Sequence, residues 1–138
     1  MFKSILVAYD GSSSANNAFE YARFVSRTFG ATIEVISVVP RHLIGDDVES
    51  SAAIDQGVSQ ARQAALRLQR RATEDATEIR FHTAVGQPAD KIIARANGID
   101  ADLIVMGCRG VSVIERCLTG STVRLVMGGS QRPLLVVQ

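Results

Sequence analysis

The chain has 138 residues, 46% of them hydrophobic, and two cysteines; that is enough apolar material for one core without a disulfide scaffold or structural metal, so a single domain over residues 1–138 is expected. Fifteen Lys and Arg against fourteen Asp and Glu leave a formal charge of +1, which excludes a broad electrostatic surface for nucleic acid or an anionic membrane. No run of about 18 apolar residues occurs, and Met1-Phe2-Lys3-Ser4-Ile5-Leu6-Val7 enters a strand pattern at once, so the expected location is cytoplasmic.

Ile5 to Tyr9 reads as a short apolar strand ended by Asp10-Gly11-Ser12-Ser13-Ser14, a cluster of turn formers and helix N-caps. Ala15, Ala18, Phe19, Ala22, Val25 and Phe29 then recur at three- and four-residue steps, the stripe of an amphipathic helix, and Gly30 stands at its left-handed cap. Thr32 to Val39 is β-branched and reads as a buried strand stopping at Pro40. From Arg41 to about Ser50 the chain is polar and reads as a surface loop.

Ile54, Val58, Ala61, Ala65, Leu68 and Ala72 mark a long helix. Its arginines, Arg62, Arg67, Arg70 and Arg71, lack interleaved aromatics and read as a solvated face. Ile79, Phe81, Thr83 and Val85 alternate as an edge strand does, closed by Gly86-Gln87-Pro88, and Pro88 suits the start of a helix over about Ala89 to Asn97. Asp102 to Met106 is a buried strand; Val111 to Leu118 reads as a short helix, Ser121 to about Gly128 as a further helix, and Pro133 to Val137 as a final strand. Five strands alternating with helices imply an α/β fold: one open parallel sheet, right-handed crossovers, helices on both faces.

Between the fourth strand and the last helix lies Gly107-Cys108-Arg109-Gly110, followed after nine residues by Gly120-Ser121. Glycines beyond a strand's carboxyl end let backbone approach a ligand, and a helix start offers free N–H groups to a polyanion. In such sheets ligands settle where strand order reverses; if the first and fourth strands are the neighbours there, Asp10 and Gly107 meet at one crevice. Asp10 carries two compatible readings, a turn or cap residue and a carboxylate that accepts ribose hydroxyls or helps hold a magnesium ion.

Several chemistries are excluded. Gly86-Gln87-Pro88-Ala89-Asp90-Lys91 lacks the second glycine of a Walker A loop, and Asp10-Gly11-Ser12 stands where a dinucleotide fingerprint would be. His42 and His82 have no visible catalytic partner and no metal-ligand spacing. Cys108 and Cys117 are read as thiols, as a reduced compartment would keep them.

Gly107-x2-Gly110-x9-Gly120-Ser121, with Asp10-Gly11-Ser12 after the first strand and Pro133-Leu134-Leu135-Val136-Val137 at the end, resembles the universal stress protein family over the whole chain, and specifically its nucleotide-binding branch. The resemblance implies a Rossmann-like five-stranded sheet of order 3-2-1-4-5, ATP as ligand with or without Mg2+, and a homodimer through the last strand, Leu134 to Val137. It implies that Ala8, Tyr9 and Asp10 line the adenosine side, that Val38 touches adenine and that Met106 lies against ribose or base. Gly107, Gly110, Gly120, Ser121 and Thr122 then hold the phosphates, with Arg109 adding charge and Val123 also among the nucleotide-binding residues.

Three positions depart from the family pattern: Cys108 for a hydroxyl residue, the order Thr122-Val123, and Met127-Gly128-Gly129. The glycine pair is expected to shorten or fray the last helix, since each Gly costs about 0.5–1 kcal/mol relative to Ala. The resulting expectation is an ATP-binding stress-response protein that uses its nucleotide as a regulatory ligand with at most slow hydrolysis. The alternatives are a nucleotide-independent dimeric interaction module and an ATP-hydrolysing or adenylating enzyme that needs a further catalytic group.

Overall fold

The computed structural model describes residues 1–40, 48–108 and 121–138. Five strands, β1 (Ser4–Ala8), β2 (Thr32–Pro40), β3 (Ile79–Gly86), β4 (Leu103–Gly107) and β5 (Leu134–Val137), form one sheet of order β3-β2-β1-β4-β5. Every pairing is parallel, so the expected order 3-2-1-4-5 holds. The helices are α1 (Ser13–Phe29), α2 (Val48–Thr73), α3 (Pro88–Gly98) and α4 (Ser121–Gly129). The expected short helix over Val111 to Leu118 falls outside the described residues.

The central strands β1, β2 and β4 are buried on both faces because successive side chains alternate between two cores. Ile5, Val7 and Val35 join Phe19 of α1 and Leu68 of α2 on one face. Leu6, Ile36 and Ile104 join Ile92 of α3 and Val126 of α4 on the other. Full burial of each such side chain contributes about 1.5–3 kcal/mol, and a one-residue register slip would exchange the two sets.

The helix ends follow local chemistry. Ser12 caps α1, its hydroxyl accepting the Ala15 N–H at 3.1 Å, and Gly30 (φ +70°) closes it by donating its N–H to the Ser26 carbonyl. Cap chemistry is therefore Ser12's and not that of Asp10. At α3, Gln87 accepts the Ala89 N–H, with Pro88 in the first turn.

Most boundaries shift by a residue from the sequence reading, and three of the differences are instructive. Helix α2 begins at Val48, before the expected end of the surface loop. Ser51, Ala52 and Ala53 are exposed, so no apolar periodicity advertises that turn, although nothing in it resists a helix. Pro40 belongs to β2, opposite Gly86 at the strand's last pair, where a missing N–H is tolerated. Helix α4 runs through both Gly128 and Gly129 and is not shortened. A Cβ on Gly129 would lie 2.8 Å from Cδ1 of Ile93 on α3, so the glycine lets that side chain lie close against the end of α4.

Two ion clusters tie the layers laterally. Arg95 of α3 donates to the buried Glu34 carboxylate on β2. Buried Arg23 of α1 donates to Asp75, to Glu20 at 2.8 Å and to the Arg71 carbonyl at 3.0 Å, joining α1 to the end of α2. Removing one partner of such a buried pair typically costs about 3–5 kcal/mol.

Candidate functional site

Strand order reverses between β1 and β4, which are direct neighbours with Ala8 opposite Met106. Asp10, two residues past β1, and Gly107, the last residue of β4, therefore sit at adjoining carboxyl ends, the position where this type of sheet receives ligands.

Asp10 is exposed, and its Oδ1 accepts the Ser12 N–H at 3.0 Å. This is a local turn that leaves the α1 cap to Ser12. Tyr9 is buried in the α1/α2 core, and its hydroxyl donates to Asn16 Oδ1 at 2.8 Å. Met106, 4% exposed, belongs to the opposite core, and half-buried Ala8 and Val38 pack against it there. The sheet thus separates the side chain of Tyr9 from those of Ala8, Val38 and Met106.

On α4, Val123 is 5% exposed and packs in the α3/α4 core, so its backbone is what it can offer a ligand. Thr122 is half-buried in the first turn. Ser121 opens the helix, giving the start of α4 the unsatisfied N–H groups of any helix N-terminus. Arg109, Gly110 and Gly120 lie outside the described residues.

Gly107 has a role that the spacing of glycines did not reveal. A Cβ there would meet the Ala15 nitrogen and the Ser14 carbonyl carbon, each at 2.5 Å, so β4 ends against the backbone of α1. Cys108 follows with its N–H donated to the Val137 carbonyl at 2.7 Å. It is disulfide-bonded, which corrects its reading as a thiol; that reading rested on the redox poise of a compartment and not on the fold. Cys117 lies outside the described residues.

Beside Asp10 opens a cavity of about 640 Å³, within the usual range for small-molecule sites. Its floor is the carboxyl ends of β1 and β2, with Ser37 and Val38 among the lining residues. One wall is α2, which presents Gln56, Gln60, Gln63 and Arg67. Sequence reasoning followed the apolar stripe of α2 and passed over this polar stripe at steps of four, three and four, the signal by which it could have been found.

The residues present fit a nucleotide better than a resident metal. Among the described residues no group of three or more His, Cys, Asp or Glu could hold a metal ion. His82 lies on β3 opposite Ile36 and away from the β1/β4 crevice; His42 lies outside the described residues. No described helix is long and apolar enough to cross a membrane.

The sequence profile of the universal stress protein family matches residues 1–138. A universal stress protein of Thermus aquaticus is 34% identical over 144 residues, covering 100% of both chains. The structure of the universal stress protein UspA from Lactobacillus plantarum superposes with a TM-score of 0.83 at 22% identity, covering 99% of this chain and 98% of that one. A universal stress protein in complex with cAMP superposes with a TM-score of 0.73 at 26% identity, covering 99% and 97%.

Proposed function

The chain belongs to the universal stress protein family, and on that footing we propose that it binds an adenine nucleotide, ATP foremost, as a regulatory ligand in a cytoplasmic stress response. The observation that carries the reading is the adjacency of β1 and β4, which brings Asp10 and the start of the Gly107-x2-Gly110-x9-Gly120-Ser121 motif to neighbouring strand ends. A structural relative was solved with cAMP, which supports an adenine ligand for this chain.

In this reading the adenine lies against Val38 and the ribose hydroxyls donate to Asp10. The phosphates take N–H groups from the start of α4, where the helix dipole favours negative charge. Gly110, Gly120, Ser121 and Thr122 complete the cradle, and Arg109 adds charge. Magnesium, when present, serves as a counter-ion carried by the phosphates. No phosphate-loop lysine is present, and His82 stands off the crevice, so hydrolysis is slow or depends on a partner.

One observation favours a second reading, a dimeric interaction module that needs no nucleotide: Gly107 is already required by the packing of α1 on β4. Denaturing freshly purified protein and chromatographing the supernatant separates the two. A stoichiometric adenine nucleotide is expected. Its absence, together with no binding of added ATP, would favour the module.

A further inference from the structure

The cavity beside Asp10 is larger than a turn residue and a ribose contact need, and its far wall is not used by the proposed nucleotide site. Along α2, Gln56, Gln60, Gln63 and Arg67 face the cavity over eleven residues, about 16 Å of helix. None of the four is hydrogen-bonded or ion-paired to another residue among those described. A Cβ on Gly57, between them, would approach Cγ1 of Val39 to 2.9 Å, so α2 is seated on β2 and the wall is held in place. One turn beyond Arg67 the helix is tied to α1 by Arg23, which donates to the Arg71 carbonyl and to Asp75. The result is a groove bordered by Asp10, with amide donors along its α2 wall and a cation, Arg67, at the far end of that wall.

We propose that this groove is a second subsite of the nucleotide crevice and takes an anionic group carried on the ribose 2′- or 3′-hydroxyl, so that the ligand class is a nucleotide phosphorylated on its ribose as well as at its 5′ end. The proposal rests on the reading of Asp10 as the carboxylate that faces the ribose. With the 5′ phosphates directed to α4, the hydroxyl edge of the ribose points at Asp10, the residue at the mouth of the groove. A substituent on that edge enters the groove. The charge of Asp10 opposes an anion placed directly beside it, whereas a diphosphate extends past it to the glutamine amides and the Arg67 guanidinium, which recognise phosphate oxygens. Arg71 is engaged by Glu20 at 3.5 Å; among the described lining residues Arg67 is the cation left to the groove.

Calorimetric titration with adenosine 5′-monophosphate and with adenosine 5′-monophosphate 3′-diphosphate tests this. The second is expected to bind at least tenfold more tightly. Arg67→Gln, and separately the double variant Gln60→Leu with Gln63→Leu, should return it to the affinity of the monophosphate, with monophosphate binding and melting temperature unchanged. Equal affinity of the two nucleotides for the wild type, or a tenfold preference that survives both variants, would overturn the subsite and leave the nucleotide reading standing. Absence of heat with either compound would overturn both.

Discussion

A Cβ at Gly107 would stand 2.5 Å from the backbone nitrogen of Ala15: the last residue of β4 and the first turn of α1 meet backbone to backbone. Neither atom belongs to a side chain that can swing away. Gly107→Ala should therefore force the helix off the strand and cost about 1–3 kcal/mol, the usual range for overpacking. Chemical denaturation measures this directly, and an unchanged midpoint would contradict the contact.

The phosphate site gives a separate expectation. Ser121→Glu sets a carboxylate at the start of α4, where it suits the helix dipole but repels a polyanion. The variant should melt as the wild type does, or slightly higher, and show no calorimetric heat with ATP. Full affinity in a folded variant would remove the proposed cradle.

Asp10 serves a turn, and we propose that it also serves a ribose; the two roles separate by substitution. Asparagine makes the same side-chain turn without the charge. Asp10→Asn should keep the melting temperature while losing on the order of 1.5–3 kcal/mol of nucleotide affinity, the value of a hydrogen bond to a charged group. Loss of melting temperature alone, in Asn and Ala variants alike, would confine Asp10 to the turn.

Much of the fold was legible because its signals are local. The stripe from Ala15 to Phe29, the Gly30 cap and the β-branched run from Thr32 follow from period and punctuation. The crevice was legible only as a condition, since the neighbours β1 and β4 are far apart in sequence. The start of α2 escaped because Ser51, Ala52 and Ala53 are exposed and carry no apolar repeat. Gly107 was read as letting backbone approach a ligand and Gly129 as weakening its helix, whereas in the structure the missing Cβ of each faces another element, at Ala15 and Ile93. Such a role depends on what lies opposite, which no local pattern encodes. The glutamine wall was missed for a related reason: a polar stripe on a helix reads as solvated until a facing element gives it a cavity.

Acid should weaken the lower end of the sheet through Asp102. Its carboxylate accepts the N–H groups of Lys3 at 2.7 Å and Ser4 at 2.9 Å, and these bonds hold its carboxyl below the ordinary range. The folded value lies below the unfolded one of about 3.9, so the contribution is complete above that value and fades as pH falls through the folded value. The wild type should melt above Asp102→Asn near neutrality, and the gap should close on acidification below about pH 4. A gap constant with pH would assign the effect to shape and not to charge.

The last expectation concerns association. Strand β5 lies at the edge of the sheet, and Leu134, Leu135 and Val136 are half-buried there. An uncovered apolar edge invites pairing, and a two-fold axis lets one β5 meet its copy antiparallel, satisfying both edges at once. On α1, Tyr21 and Phe24 are 55% and 62% exposed, and Asn17 of the same helix donates to the Gln138 carbonyl at 2.8 Å just past β5. Apolar surface therefore accompanies the edge. Val137 is only 7% exposed and sits in the core, so changing it would report on folding. Leu135→Lys is the cleaner probe: an ammonium at the proposed seam resists burial yet can reach water in a monomer. Light scattering should give two chains for the wild type and one for the variant, with thermal melting confirming that the variant folds. A wild type that scatters as one chain at high concentration would exclude the dimer while leaving the nucleotide site untouched.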